Sequence, residues 1–123
     1  MDRNQLGCLA EYKFCTKAIE NGFNVSMPLL DSSPYDCIVE RNLQLFKIQV
    51  KNISIERKFN RDSIHVVLRR STDFYTKDEV DFFAIYFTVY EGFFIIPNYQ
   101  QKAIRLSLDG KYKDNFNNFA LIK

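Results

Sequence analysis

At 123 residues and 14.6 kDa the chain has room for one domain with its own core, residues 1–123, and not for two. Hydrophobic residues at 46% and charged residues at 26% argue against disorder, and the longest apolar run, Phe82–Tyr90 with one Thr inside it, is far too short for a membrane span. The net charge is only +2, yet residues 41–70 carry eight Lys or Arg against Glu56 and Asp62, while residues 1–40 net −3 and residues 71–123 net −1.

A basic stretch set in a neutral or acidic remainder can engage phosphates locally, and it can equally be a solvated hairpin. Cys8, Cys15 and Cys37 form no CxxC pair. An odd count without that spacing argues against a disulfide scaffold or a structural zinc site and for a reducing compartment. No basic-then-apolar leader opens the chain, so an intracellular location, cytoplasmic or organellar, is expected.

The spacing of Leu6, Leu9, Ala10, Phe14, Ala18 and Ile19 predicts a helix over Asn4–Asn21, stopped by Asn21-Gly22. Phe23–Leu29 reads as a strand ended by Pro28 and the turn residues Asp31-Ser32-Ser33-Pro34. Tyr35–Glu40 is a second strand, Arg41-Asn42 a short turn and Leu43–Asn52 a third strand. Together these form a meander with the helix on one face. A polar stretch, Ile53–Ser63, follows as a loop or hairpin tip, then a strand at Ile64–Arg70. Phe82–Val89 and Phe93–Pro97 read as a hairpin turning at Glu91-Gly92, and its aromatic stripe as core. Ile104–Leu108 is one more strand, and Tyr112–Ala120 a short helix or irregular. Twelve Phe and seven Tyr support the strand content. The order predicts an α/β (α+β) domain, an N-terminal helix packed on a mixed β-sheet.

Along the third strand Phe46, Ile48 and Val50 alternate with Lys47, Gln49 and Lys51. Three long polar side chains on one face mark a wet surface or a site. Pairing through the Arg41-Asn42 turn brings Asp36 near position 47, within one or two residues of Gln49. An Asp carboxylate, a Gln amide oxygen and a Lys ammonium can then converge. Hard divalent ions take oxygen ligands of this kind, and a lysine beside one can orient an attacking water or stabilise phosphate charge. Glu11, flanked along its helix by Gly7, Cys8, Cys15 and Ala18, can reach the same strand surface because small residues allow close approach. His65 reads as structural or surface. Ser32 and Ser33 have no GxSxG context, and no glycine-rich phosphate loop is present.

Several segments in order resemble the PD-(D/E)XK nuclease superfamily. They are Gly7-x-x-x-Glu11, Gly22-Phe23-x-Val25-Ser26-x-Pro28, Tyr35-Asp36-x-Ile38-Val39 and Ile48-Gln49-Val50-Lys51. Within it they are similar to group I intron-encoded homing endonucleases and related short cyanobacterial-type proteins. Asp78–Tyr86 and Phe94–Pro97 also look like that branch, so the likeness covers residues 6–97. It implies a restriction-endonuclease-like core and a Mg²⁺-dependent endonuclease acting on double-stranded DNA, with Mn²⁺ expected to substitute.

Carried over by motif, Asp36 is the principal metal ligand, Gln49 stands at the second acid position, Lys51 is the motif lysine and Glu11 is the helical glutamate. The Val50 carbonyl is a further ligand. Gln49 replaces the usual Asp or Glu, as the intron-encoded branch itself does, and Tyr35 separates Pro34 from Asp36. Lys47, Arg57, Lys58, Asn60, Arg61, Arg69 and Arg70 are the expected DNA contacts. One site per small subunit implies a homodimer or homotetramer. A junction resolvase, a repair-type nuclease and a non-catalytic DNA-binding module of the same fold are the alternatives.

Overall fold

The structure, a computed structural model, describes residues 1–53, 63–69 and 73–123. Helix α1 (Arg3–Glu20) starts in a capping box. The Gln5 N–H donates to Asp2 Oδ1 and the Asp2 N–H to Gln5 Oε1, both at 2.8 Å. Two otherwise orphaned donors are satisfied in this way. At the other end Gly22 takes φ +90°, and the N–H groups of Phe23 and Gly22 return to the carbonyls of Ala18 and Ile19 at 3.0 Å. This double bond over a left-handed glycine stops the helix at the predicted place. The buried stripe is narrower than predicted: Ala10, Phe14, Cys15 and Ala18 face inward, whereas Leu9 and Ile19 are exposed.

The strands are β1 (Asn24–Ser26), β2 (Cys37–Arg41), β3 (Gln44–Ile53), β4 (Ile64–Val67), β5 (Phe82–Phe87), β6 (Gly92–Pro97) and β7 (Ala103–Leu106). Among the described residues they form a five-stranded mixed sheet, β1-β2-β3-β5-β6, and a separate ribbon of β4 with β7. Strands β3 and β5 run parallel, with Ile48 opposite Phe82 and Lys51 opposite Ile85, while the other pairs are antiparallel.

The first strand is shorter than expected because its ladder on β2 ends at Ser26 opposite Ile38. Leu29 and Leu30 beyond it are exposed. The turn between β2 and β3 is Asn42-Leu43, not Arg41-Asn42, and both residues have positive φ, 54° and 68°. That geometry matches the twist of a two-residue hairpin. The one-residue shift moves the register by two positions, so Cys37 pairs with Ile48.

Every residue of β5 is buried because the sheet is covered on both faces. Phe82, Ala84 and Tyr86 pack with Phe14, Val39, Ile48 and Ile95 under α1. Phe83, Ile85 and Phe87 pack with Val66, Leu68, Ile104 and Leu106 under the ribbon. The ribbon as a second cover was not foreseen in the sequence. Each large apolar side chain so buried stabilises the fold by about 1.5–3 kcal/mol. The hairpin from β5 to β6 passes through a 3₁₀ turn, Thr88–Tyr90, and Glu91 at φ 50° before Gly92 opens β6. Gly92 is pressed against Phe116, where a Cβ would lie at 2.3 Å from that ring.

The C-terminal segment is irregular with two 3₁₀ turns, Lys113–Asn115 and Phe119–Leu121. It covers the β6 edge: Asn117 N–H donates to the Phe93 carbonyl at 2.6 Å, and Phe93 N–H donates to Asn117 Oδ1 at 2.9 Å. Among the described residues no helix is long and apolar enough to cross a membrane.

Candidate active site

Asp36 stands one residue before β2, where the register places it level with Gln49 on β3. Two bonds fasten it there. Its N–H donates to the Ile48 carbonyl at 2.8 Å, and its Oδ2 accepts the Val50 N–H at 2.7 Å. The acid is thus tied to the main chain on both sides of Gln49. Pleating then sorts the side chains of β3: Ile48 and Val50 enter the core under α1, while Gln49 and Lys51 lie opposite Phe83 and Ile85 on the ribbon side. Lys47, Gln49 and Lys51 are all partly buried, so this face is not simply wet.

Glu11 comes from the middle of α1. With Asp31, Ser33, Tyr35 and Asp36 it lines a cleft of about 280 Å³. Burial, then the carboxylates of Asp36 and Asp31, pushes Glu11 up from 4.5 to about 7. Burial also raises Asp36, opposed by the Val50 N–H and by Lys51. Burial lowers Lys51, and Asp36 opposes that shift. The structure therefore gathers two partly desolvated carboxylates and one lysine around the Gln49 level. The Gln49 amide nitrogen lies 3.5 Å from the Val50 carbonyl oxygen, near the limit of a hydrogen bond.

This donor set suits a hard cation. Among the described residues no three His, Cys, Asp or Glu side chains gather as a metal cluster. The cleft presents the carboxylates of Glu11 and Asp36, the oxygen chemistry that Mg²⁺ prefers, while Gln49 and Val50 do not line it. Burial is the main cause that raises Glu11, and the repulsion from Asp36 and Asp31 that adds to it is what a bound cation would relieve.

A family model for PD-(D/E)XK endonucleases matches residues 1–121. The chain belongs to the PD-(D/E)XK endonuclease family. It is a nuclease with an α+β, restriction-endonuclease-like fold, an N-terminal helix on a mixed sheet. The chain is also similar to a solved structure described as a bacterial homing endonuclease, I-Ssp6803I. The TM-score is 0.77 at 22% identity, covering 98% of this chain and 91% of that one. At that identity the likeness speaks for the fold. A search of the curated proteins found no match.

The expected DNA contacts of this endonuclease fall into three groups. Arg57, Lys58, Asn60, Arg61 and Arg70 lie outside the described residues. Lys47 is engaged within the protein: its ammonium donates to the Asp78 carbonyl and its N–H to Asp81 Oδ2 at 2.8 Å. Arg69 is exposed just past the end of β4. Next to it the sequence reading missed a basic surface. His65 and Arg105 are exposed Cα partners on the outward row of the ribbon. Nothing in the sequence pairs β4 with β7, so that juxtaposition is a product of the fold.

Asp31 and Tyr75 beside the site, and the meeting of Cys15 with Cys37, were also missed. Asp31 sits in a turn that was read as punctuation. Tyr75 places its ring 5.7 Å from the Lys51 ammonium. Cys15 and Cys37 are paired thiols in the core under α1, and their hydrogen bond, with burial, pushes Cys37 up. No local signal in the sequence marks these contacts.

Proposed function

We propose that the chain is a Mg²⁺-dependent endodeoxyribonuclease that cuts double-stranded DNA at a specific long site, of the homing type encoded in group I introns. The observation that carries the reading is Asp36, fastened to both sides of Gln49 with Glu11 and Lys51 acting on it or beside it. Family membership supplies the hydrolytic chemistry. The homing character is supported by the structural neighbour, itself described as a homing endonuclease, and by Gln at the second acid position.

Glu11, Asp36, Gln49 and the Val50 carbonyl would hold the cation. When bound, Mg²⁺ supplies Lewis-acid polarisation of the scissile phosphate and a more acidic water. Asp36 is held in place by the Val50 N–H, so it needs little reorganisation. Glu11, crowded by Asp36 and Asp31 without a cation, would be held as its carboxylate once the cation binds. Lys51 presents an ammonium whose N–H groups can orient the attacking water and stabilise charge on the non-bridging oxygens. In-line attack then breaks the phosphorus–oxygen bond to the leaving strand.

The outward row of the ribbon, with His65 and Arg105, and Arg69 just past the end of β4 are the DNA-facing surface in this reading. A two-stranded ribbon fits the major groove, where Arg reads guanine. Each chain carries one such site, so cutting both strands calls for a homodimer or homotetramer.

The test is cleavage of a complex DNA library with Mg²⁺, with Asp36→Ala in parallel and sequencing of new ends. Ends clustered at one long site, absent with the variant, are the expected result. Ends confined to branched DNA would move the reading to a junction resolvase or repair nuclease. Binding without cleavage in any divalent metal would make it a DNA-binding module.

A further inference from the structure

Lys51 is a flexible four-carbon chain ending in a point charge. For it to act on one water or one phosphate oxygen, something must fix the ammonium without occupying its three donors. A carboxylate or carbonyl partner would fix it by taking a donor. An aromatic face attracts the cation through its quadrupole and leaves the N–H groups directed elsewhere.

Tyr75 offers that face, with its ring centroid 5.7 Å from Lys51 Nζ. The ring is itself fixed, edge to face at 5.9 Å against Phe83, a fully buried residue of β5. Its backbone is fixed as well. Asn98, 5% exposed, donates its amide to the carbonyls of Tyr75 and Thr76 at 3.1 Å and of Val80 at 2.8 Å. Its Oδ1 accepts the Gln100 N–H at 2.8 Å. One buried amide thus clamps the turn that carries Tyr75 to the end of β6. Lys51 has this ring on it and feels the opposite charge of Asp36, one residue before the neighbouring strand β2.

We propose that Tyr75 is a positioning residue for the active-site lysine, its ring face holding the Lys51 ammonium toward Asp36 while leaving its donors free for the DNA phosphate and water. The proposal rests on the endonuclease reading of Lys51 and names a residue outside the family motif.

The test uses the full chain with Tyr75→Phe and Tyr75→Leu, each alone and with Lys51→Ala. Under saturating DNA and Mg²⁺, Tyr75→Leu lowers kcat by about 3- to 30-fold with KM unchanged, the range a cation–π contact supports. Tyr75→Phe restores the wild-type rate, because the ring face is kept. On the Lys51→Ala background, Tyr75→Leu has no further effect. A second readout does not depend on cleavage. The ring shifts the Lys51 ε-methylene protons upfield in the wild type and in Tyr75→Phe, and the shift disappears in Tyr75→Leu. A wild-type chain without that shift, or an equal loss of kcat from Tyr75→Leu with and without Lys51, overturns the proposal. Failure of the wild type to cut DNA would count against the endonuclease reading alone, since the resonance decides the contact by itself.

Discussion

The Val50 N–H and the Asp36 carboxylate lie 2.7 Å apart, so the strand that presents Gln49 and Lys51 also aims the acid. Asp36→Asn keeps an oxygen to accept this bond and removes only the charge. Burial already raises Asp36, so the substitution relieves a desolvated carboxylate. The melting temperature is expected to hold or rise while cleavage falls at least about 100-fold, on the scale of losing one charge-stabilising group. Thermal unfolding and single-turnover cleavage of the same preparations check this. A variant that melts much earlier would show that Asp36 serves the fold.

Gln49→Glu adds a carboxylate at the level of Asp36. In metal-free protein a third acid near Glu11 and Asp36 worsens the repulsion, and the melting temperature is expected to fall. In return the cation gains a charged ligand, so half-maximal cleavage moves to lower Mg²⁺. Melting with EDTA and a Mg²⁺ titration of cleavage are the two measurements. Unchanged Mg²⁺ dependence would place position 49 outside the ligand set.

Glu11 gives the metal-free protein a pH-dependent stability of defined sign. Its value rises from 4.5 unfolded to about 7 folded, so between those limits the folded chain binds more protons than the unfolded one. Stability therefore declines as pH rises from about 4.5 to about 7 and levels off above. Asp36, also raised, adds a slope of the same sign. Urea midpoints across that range in EDTA check it, and Glu11→Gln should flatten the curve. A midpoint that climbs between pH 5 and 7 would contradict the burial of Glu11.

Leu43 occupies a left-handed turn position at φ 68° and is 91% exposed, so its side chain contributes strain and little packing. Leu43→Gly is expected to stabilise by about 1 kcal/mol, since a non-glycine residue there costs about 1–2 kcal/mol and glycine returns part of it as unfolded-state entropy. Urea denaturation reads the gain directly. Loss of stability would mean that the turn has another geometry.

The paired alanine variant at His65 and Arg105 should melt like the wild type, because both side chains are exposed on the outer row of the ribbon. Its DNA affinity should drop, with a shallower dependence on salt as phosphate or base contacts are lost. A gel-shift or anisotropy titration at several salt concentrations measures both. Unaltered affinity would place the DNA on another surface.

The elements that local chemistry dictates were legible in the sequence. Asn21-Gly22 ended the helix where a left-handed glycine was needed, and the apolar run after Asp81 became the buried β5. Glu11, Asp36 and Lys51 were singled out by their order along the chain; the fold sets Glu11 and Asp36 on one cleft and brings the charge of Lys51 to bear on Asp36. What escaped depended on pairings between distant segments. The hairpin register slipped because Leu, a poor left-handed residue, sits where Gly or Asn would have announced the turn. The ribbon over the sheet, and with it the meeting of His65 and Arg105, depends on a β4–β7 pairing that neither strand advertises. Tyr75 meets Lys51 from a turn whose carbonyl accepts from Asn98, further along the chain.

The parallel pairing of β3 with β5 also bears on how the active site comes into being. Strand β2 reaches β3 through a two-residue turn, so that half of the site can form by local closure. The other neighbour, β5, can dock only after the chain has passed over the sheet and returned in the same direction. Loop-closure entropy makes such a contact late and slow relative to the hairpin. The acid and the glutamine can therefore meet in an early β2–β3 hairpin, while Lys51 acquires Ile85 and Tyr75 as neighbours only on completion of the fold. A chain still emerging from the ribosome holds the motif in order before it holds a competent nuclease.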